Sequence, residues 1–118
     1  MVENFEVVYF QLVGNDLQRG MDFYRSLFGW KIEPMAGMEK AYSEITIKEA
    51  GLNGGLSSEG KPGTLIFISV PSVSEWIEKA IKLGATVAMP RTAIPNDMGF
   101  MAIIGTPDGN SIGLWSKE

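Results

Sequence analysis

Tyr9 and Gln11 stand two residues apart in FEVVYFQLV, the run from Phe5 to Val13. Aromatic and β-branched residues dominate this run, so it reads as a strand. Alternation places Val7, Tyr9 and Gln11 on one face and Val8, Phe10 and Leu12 on the other. A tyrosine and a glutamine side by side offer neutral hydrogen bonds that orient a polar group on a mostly apolar ligand. Simple packing, with the Tyr9 hydroxyl on a backbone carbonyl, accounts for the same residue type. Gly113 and Trp115 share a face of a second strand, Ser111 to Trp115. There the glycine leaves room and the indole offers a flat wall to a planar or aliphatic ligand. Alternatively, Trp115 fills that room itself or covers a subunit interface. Leu65, Phe67 and Met101 would complete an apolar lining, and ordinary core packing explains them equally well. Glu44, in the middle of a strand, is the carboxylate best placed to serve as a general base, with Tyr9 the other acid–base candidate. A solvated strand face explains Glu44 as readily. Arg91, between Pro90 and Met98, is placed to clamp an anion at a rim, although a loop arginine is ordinarily solvated.

Some chemistry is excluded outright. The chain has no histidine and no cysteine, so the commonest metal ligand, the commonest general base and the thiolate are all missing. Gly51, Gly54 and Gly55 are not followed by Lys-Ser or Lys-Thr and open no helix, so they form no phosphate cradle. A net charge of -4 supplies no basic stripe, and nucleic acid is not an expected partner. No apolar run approaches the roughly 20 residues that span a bilayer. Met1 to Phe5 is acidic, without the apolar core of a signal peptide, so a cytoplasmic location is expected. The seven methionines favour an adaptable surface but make no motif.

The elements that carry these residues occur twice. After the first strand, Asn15 or Asp16 caps a helix whose apolar stripe is Leu17, Met21, Tyr24, Leu27 and Phe28, and Gly29 ends it. Strands follow at Trp30–Pro34, at Tyr42–Ile47 and, weakly, near Leu56. Residues 57–63 (SSEGKPG) are a polar link. Then Thr64–Val70 reads as a strand, and Ser72 to Glu75 is a capping box. It opens a helix striped by Val73, Trp76, Ile77, Ala80 and Leu83 and stopped at Gly84. Strands at Ala85–Met89, Phe100–Ile104 and Ser111–Trp115 complete the unit, with 90–98 a loop. Strand, helix and three strands thus repeat at a period of about 55 residues. The 118 residues make one domain, with module one at about 5–57 and module two at about 64–116.

The series Asp16-Leu17, Phe23-Tyr24-Arg25, Leu27-Phe28-Gly29-Trp30, Leu83-Gly84-Ala85, Met89-Pro90 and Pro107-Asp108-Gly109-Asn110 resembles, in order and spacing, the vicinal oxygen chelate superfamily. That superfamily includes glyoxalase I, the bleomycin-resistance proteins and the extradiol dioxygenases. The resemblance implies an α+β fold in which two βαβββ modules form a curved mixed sheet with a central cup and helices outside. It also implies four metal-ligand positions, which fall on Tyr9, Leu65, Gly113 and either Gly54 or Gly55. Leucine and glycine have no side-chain donor, and a tyrosine would have to ionise. The expectation is therefore a divergent member without metal or other cofactor, binding a small, mostly apolar or aromatic molecule. Two alternatives are a metal-independent enzyme using Tyr9 or Glu44, and a metal-dependent lyase or dioxygenase with other ligands. The resemblance, and the open sheet edges it implies, favour a homodimer.

Overall fold

A computed structural model describes residues 5–118. Met1 to Asn4, on which most of the signal-peptide reading rests, lie outside the described residues. The element order is β1 (Val7–Val13), α1 (Leu17–Phe28), β2 (Lys31–Pro34), β3 (Tyr42–Thr46), β4 (Asn53–Ser57), β5 (Gly63–Ser69), α2 (Val73–Lys82), β6 (Thr86–Ala93), β7 (Phe100–Gly105) and β8 (Ser111–Ser116). Strand, helix and three strands therefore occur twice, and the class is α+β. The chain divides into two compact units, one of residues 9–65 and one of residues 5–8 with 66–118.

In the unit of residues 9–65 the strands are hydrogen-bonded in the order β2-β3-β4-β1. β1 and β4 run parallel, and the other neighbours antiparallel. The Asp16 side chain caps α1 by accepting from the Arg19 N–H, and Gly29 closes the helix in the left-handed region at φ 70°. The Arg25 guanidinium donates to the Ile32 carbonyl and ties the helix end to β2. Met21, Ile32, Ile45 and Leu56 form the buried core, joined by Phe10, Leu12, Leu17, Tyr24 and Trp30. This core lies between α1 and one face of the sheet. The expected helix stripe is only partly buried: Leu27 is 60% exposed and Phe28 55% exposed. The core has closed over the first two turns of α1, and Phe28 packs its ring instead on Trp30. β3 ends at Thr46 rather than Ile47. The Asn53 carboxamide there accepts from the N–H groups of Ile47 and Lys48 and donates to the Lys48 carbonyl, clasping the turn.

The second unit carries the same pattern, in the order β5-β8-β7-β6, with β5 and β8 parallel. The Ser72 hydroxyl caps α2 by accepting from the Glu75 N–H. Its core is Val70, Val73, Ala102, Ile104 and Leu114, packed against Trp76, Ile77 and Ala80 of α2. The buried Ser116 hydroxyl accepts from the Val73 N–H and joins the last strand to the helix start. β6 extends to Ala93, beyond the expected end at Met89. It is the terminal strand of this unit, where proline is tolerated, and its pairing with β7 shifts register on either side of Met89. Arg91 consequently stands on a strand and not in a loop. Its guanidinium lies 3.6 Å from the Phe100 ring centroid, a cation–π contact.

Candidate functional site

The parallel pairing of β1 with β4 sets Gln11 opposite Gly55, and that of β5 with β8 sets Phe67 opposite Gly113. Tyr9 precedes Gln11 by two residues, as Leu65 precedes Phe67. The register therefore resolves the choice between Gly54 and Gly55: Gly55 is the counterpart of Gly113. Gly54 points to the α1 side, where a Cβ would strike the Phe10 ring and carbonyl.

On the sheet face away from α1, Glu33, Glu44, Gly55 and Gln11 form one rung across β2, β3, β4 and β1. Tyr9 and Tyr42 flank this rung from opposite sides, and their hydroxyls hydrogen-bond to each other. A Cβ on Gly55 would collide with both hydroxyls, so the missing side chain is what lets the two phenols meet. Burial pushes the Tyr42 hydroxyl well above its ordinary pKa, and Tyr9 and the Glu44 carboxylate push it further. Burial also raises Tyr9, with Glu44 adding to the rise and the bond to Tyr42 opposing it. Both phenols are therefore neutral at physiological pH and act as hydrogen-bonding dipoles. Glu44 is exposed, and across the sheet Glu33 forms an exposed ion pair with Lys31 at 3.2 Å.

Of the residues singled out in the sequence, Tyr9, Gln11 and Glu44 thus come together on one face. Tyr42 was missed, although the alternation that exposes Glu44 puts Tyr42 on the same face. The other candidates, Leu65, Phe67, Met101, Gly113 and Trp115, line the face of their own strands that points away from α2. There the room beside Gly113 is taken by the Phe67 ring, which is only 4% exposed and which a Cβ on Gly113 would strike. Trp115 pairs with Met101, and its indole N–H donates to the Met98 carbonyl at 2.8 Å. The indole also packs against Gly99, pinning the turn between β6 and β7.

Four positions would have to hold a divalent cation under the family pattern: Tyr9, Gly55, Leu65 and Gly113. They supply one oxygen donor, a phenol held neutral by burial. Phenol hydroxyls fill the space at Gly55 and a phenyl ring fills it at Gly113. This donor set does not fit a hard or borderline cation. No group of three or more His, Cys, Asp or Glu able to hold a metal occurs among the described residues. Nor is any helix among them long and apolar enough to cross a membrane.

No curated protein matches the chain by sequence. Several solved structures share the fold. A Mn(II)-bound glyoxalase from Novosphingobium aromaticivorans aligns with a TM-score of 0.70 at 16% identity, over 96% of this chain and 39% of that one. Methylmalonyl-CoA epimerase from Streptomyces coelicolor, in complex with 2-nitronate-propionyl-CoA, aligns with a TM-score of 0.69 at 13% identity, over 93% and 92%. A glyoxalase/bleomycin resistance protein/dioxygenase superfamily member from Vibrio splendidus 12B01 gives 0.66 at 15% identity, over 94% and 97%. At these identities the likeness is one of fold. The family model matches residues 6–114, nearly the whole length, and the chain belongs to the glyoxalase/bleomycin resistance protein/dioxygenase superfamily.

Proposed function

We propose that the protein binds a small, mostly apolar or aromatic molecule without a metal, on the sheet face that carries Tyr9, Gln11 and Tyr42. One observation carries the reading: two neutral phenols, bonded to each other over Gly55, occupy the place where the family pattern puts charged or imidazole ligands. A ligand there is gripped by shape and by hydrogen bonds to neutral dipoles.

A second reading is a metal-independent enzyme with Glu44 as base and a tyrosine as acid. It rests on Glu44 standing beside Gly55 in the same rung. The direction of the tyrosine shifts favours binding instead. A phenol moved upward is further from the operating pH of a proton-transfer catalyst, and it keeps its proton for donation. A cytoplasmic location and a two-fold dimer belong to the same proposal.

The test is metal analysis of purified protein after chelation, followed by thermal unfolding with Mn(II), Ni(II) or Zn(II) and with small aromatic amides. The expected result is sub-stoichiometric metal, no rise in Tm with cations, and a rise with the amides. Stoichiometric metal that chelation removes with loss of stability would overturn the reading and favour a metal enzyme with other ligands.

A further inference from the structure

Asn53 precedes Gly54, the neighbour beside which an asparagine most readily reacts with its own backbone. The nitrogen of the following residue attacks the carboxamide carbon, ammonia leaves, and a five-membered succinimide closes. Water then opens that ring at either carbonyl, giving aspartate or isoaspartate. Glycine speeds the first step because no side chain shields its nitrogen and its backbone turns freely. No other asparagine of the chain is followed by glycine.

The fold holds this reactive pair at two points. Asn53 opens β4 opposite Tyr9 of β1, and Gly54 is buried between Phe10 of β1 and Ile45 of β3. In an extended strand the side chain stands out from the backbone, so the next nitrogen cannot come behind the carboxamide carbon. Ring closure therefore needs β4 to leave its partners locally. The side chain is fixed as well. Its Oδ1 accepts from the Ile47 N–H at 2.7 Å and the Lys48 N–H at 3.2 Å, and its Nδ2 donates to the Lys48 carbonyl at 2.8 Å. Two donors on Oδ1 draw electron density from the carboxamide carbon, so the barrier is one of geometry and not of reactivity.

We infer that Asn53 is a self-modification site that the pairing of β4 keeps shut, and that its isoaspartate product disconnects the Tyr9–Tyr42 pair. Isoaspartate routes the main chain through the side-chain carbons, which adds one backbone atom before Gly54. β4 cannot then keep both its entry turn and the register that sets Gly55 against Gln11 and Glu44. Gly55 has little slack, since even a Cβ there would strike both tyrosine hydroxyls. The aspartate product leaves the backbone unchanged and loses only the amide's bond to the Lys48 carbonyl. No ligand is involved, so the modification stands or falls apart from the binding proposed above.

The full chain is kept at mildly alkaline pH, folded in buffer or unfolded in urea, while peptide mapping by mass spectrometry follows residue 53. Conversion in the folded chain should be slower by about tenfold or more, because it waits on local opening. The urea sample is then refolded, and its aspartate and isoaspartate forms are separated by chromatography. Freshly made Asn53→Asp supplies the aspartate form without incubation. Both aspartate samples should refold with Tyr9 and Tyr42 titrating above their ordinary range, as in the unmodified chain. In the isoaspartate form the two should titrate within that range, or the chain should fail to refold. Equal rates in the folded and unfolded chain would overturn the guarding role of β4. An isoaspartate form that refolds with both tyrosines still raised, or an Asn53→Asp variant that loses the raised tyrosines by itself, would overturn the link to the pair.

Discussion

At Gly55 and at Gly113 the two repeated units make the same backbone arrangement and fill the resulting space in opposite ways. Each glycine lies in the last strand of its unit, opposite a residue of the parallel first strand. At Gly113 that residue is Phe67, whose ring folds into the gap and seals it. At Gly55 the opposite residue is Gln11, and the gap is bridged by the hydroxyls of Tyr9 and Tyr42. One duplicated geometry thus gives an apolar plug in one copy and a polar, proton-bearing surface in the other. A glycine in a strand marks a close approach, and its neighbours decide whether that approach is structural or chemical.

The contrast is open to direct attack. Phe67→Ala should have the largest effect, a loss of about 3–5 kcal/mol in urea unfolding, because it empties a buried ring site. Gly113→Ala should follow at about 1–3 kcal/mol, since its new methyl group meets the Phe67 ring. Combined, the two substitutions should cost less than their sum, because the methyl group partly refills the space. Gly55→Ala should destabilise less than Gly113→Ala, because it meets the far ends of two side chains that can swing away. It should still abolish the tyrosine pair, seen as a change in the ultraviolet titration. Equal costs at the two glycines would remove the distinction.

Alkaline pH sharpens the same difference, because only the first unit carries the raised tyrosines. Below their ordinary pKa of 10.0, both phenols are protonated in the folded and unfolded chain alike, and they contribute no pH dependence. Above it the unfolded chain releases these protons first, so it binds fewer than the folded chain and stability falls as pH rises. The double substitution Tyr9→Phe with Tyr42→Phe should flatten that fall in equilibrium unfolding at successive pH values. The smallest effects are expected where the units agree. Asp16→Ala and Ser72→Ala should each cost about 1 kcal/mol, since each side chain caps its helix in the same way.

Much of this is legible in the sequence. The caps at Asn15 or Asp16 and at Ser72, the stop at Gly29 and the alternation in β1, β3 and β8 are local signals, and each names its element; the structure decides the first cap for Asp16. Less legible was anything set by a distant partner. The alternation could put Tyr42 on a face, but only the pairing of β3 with β4 shows that its hydroxyl reaches Tyr9 across Gly55. Leu27 and Phe28 have helical spacing and still remain exposed, because the core meets α1 through Leu17, Met21 and Tyr24 and leaves those two side chains outside it. Gly113 announced a gap, and its occupant, Phe67, lies far away in sequence. The sequence reading ends that strand at Met89 and opens a loop at Pro90, a residue that cannot donate to a ladder. In a terminal strand it need not, and β6 simply continues through it.

That interrupted strand has a consequence for assembly. The register slips on both sides of Met89, so the outer rim of β6 presents broken rungs in place of a regular row of donors and acceptors. A foreign extended segment would find no continuous template there, which guards the protein against runaway stacking in a crowded solution. If two copies do associate, they are better served by side-chain surfaces than by prolonging this sheet.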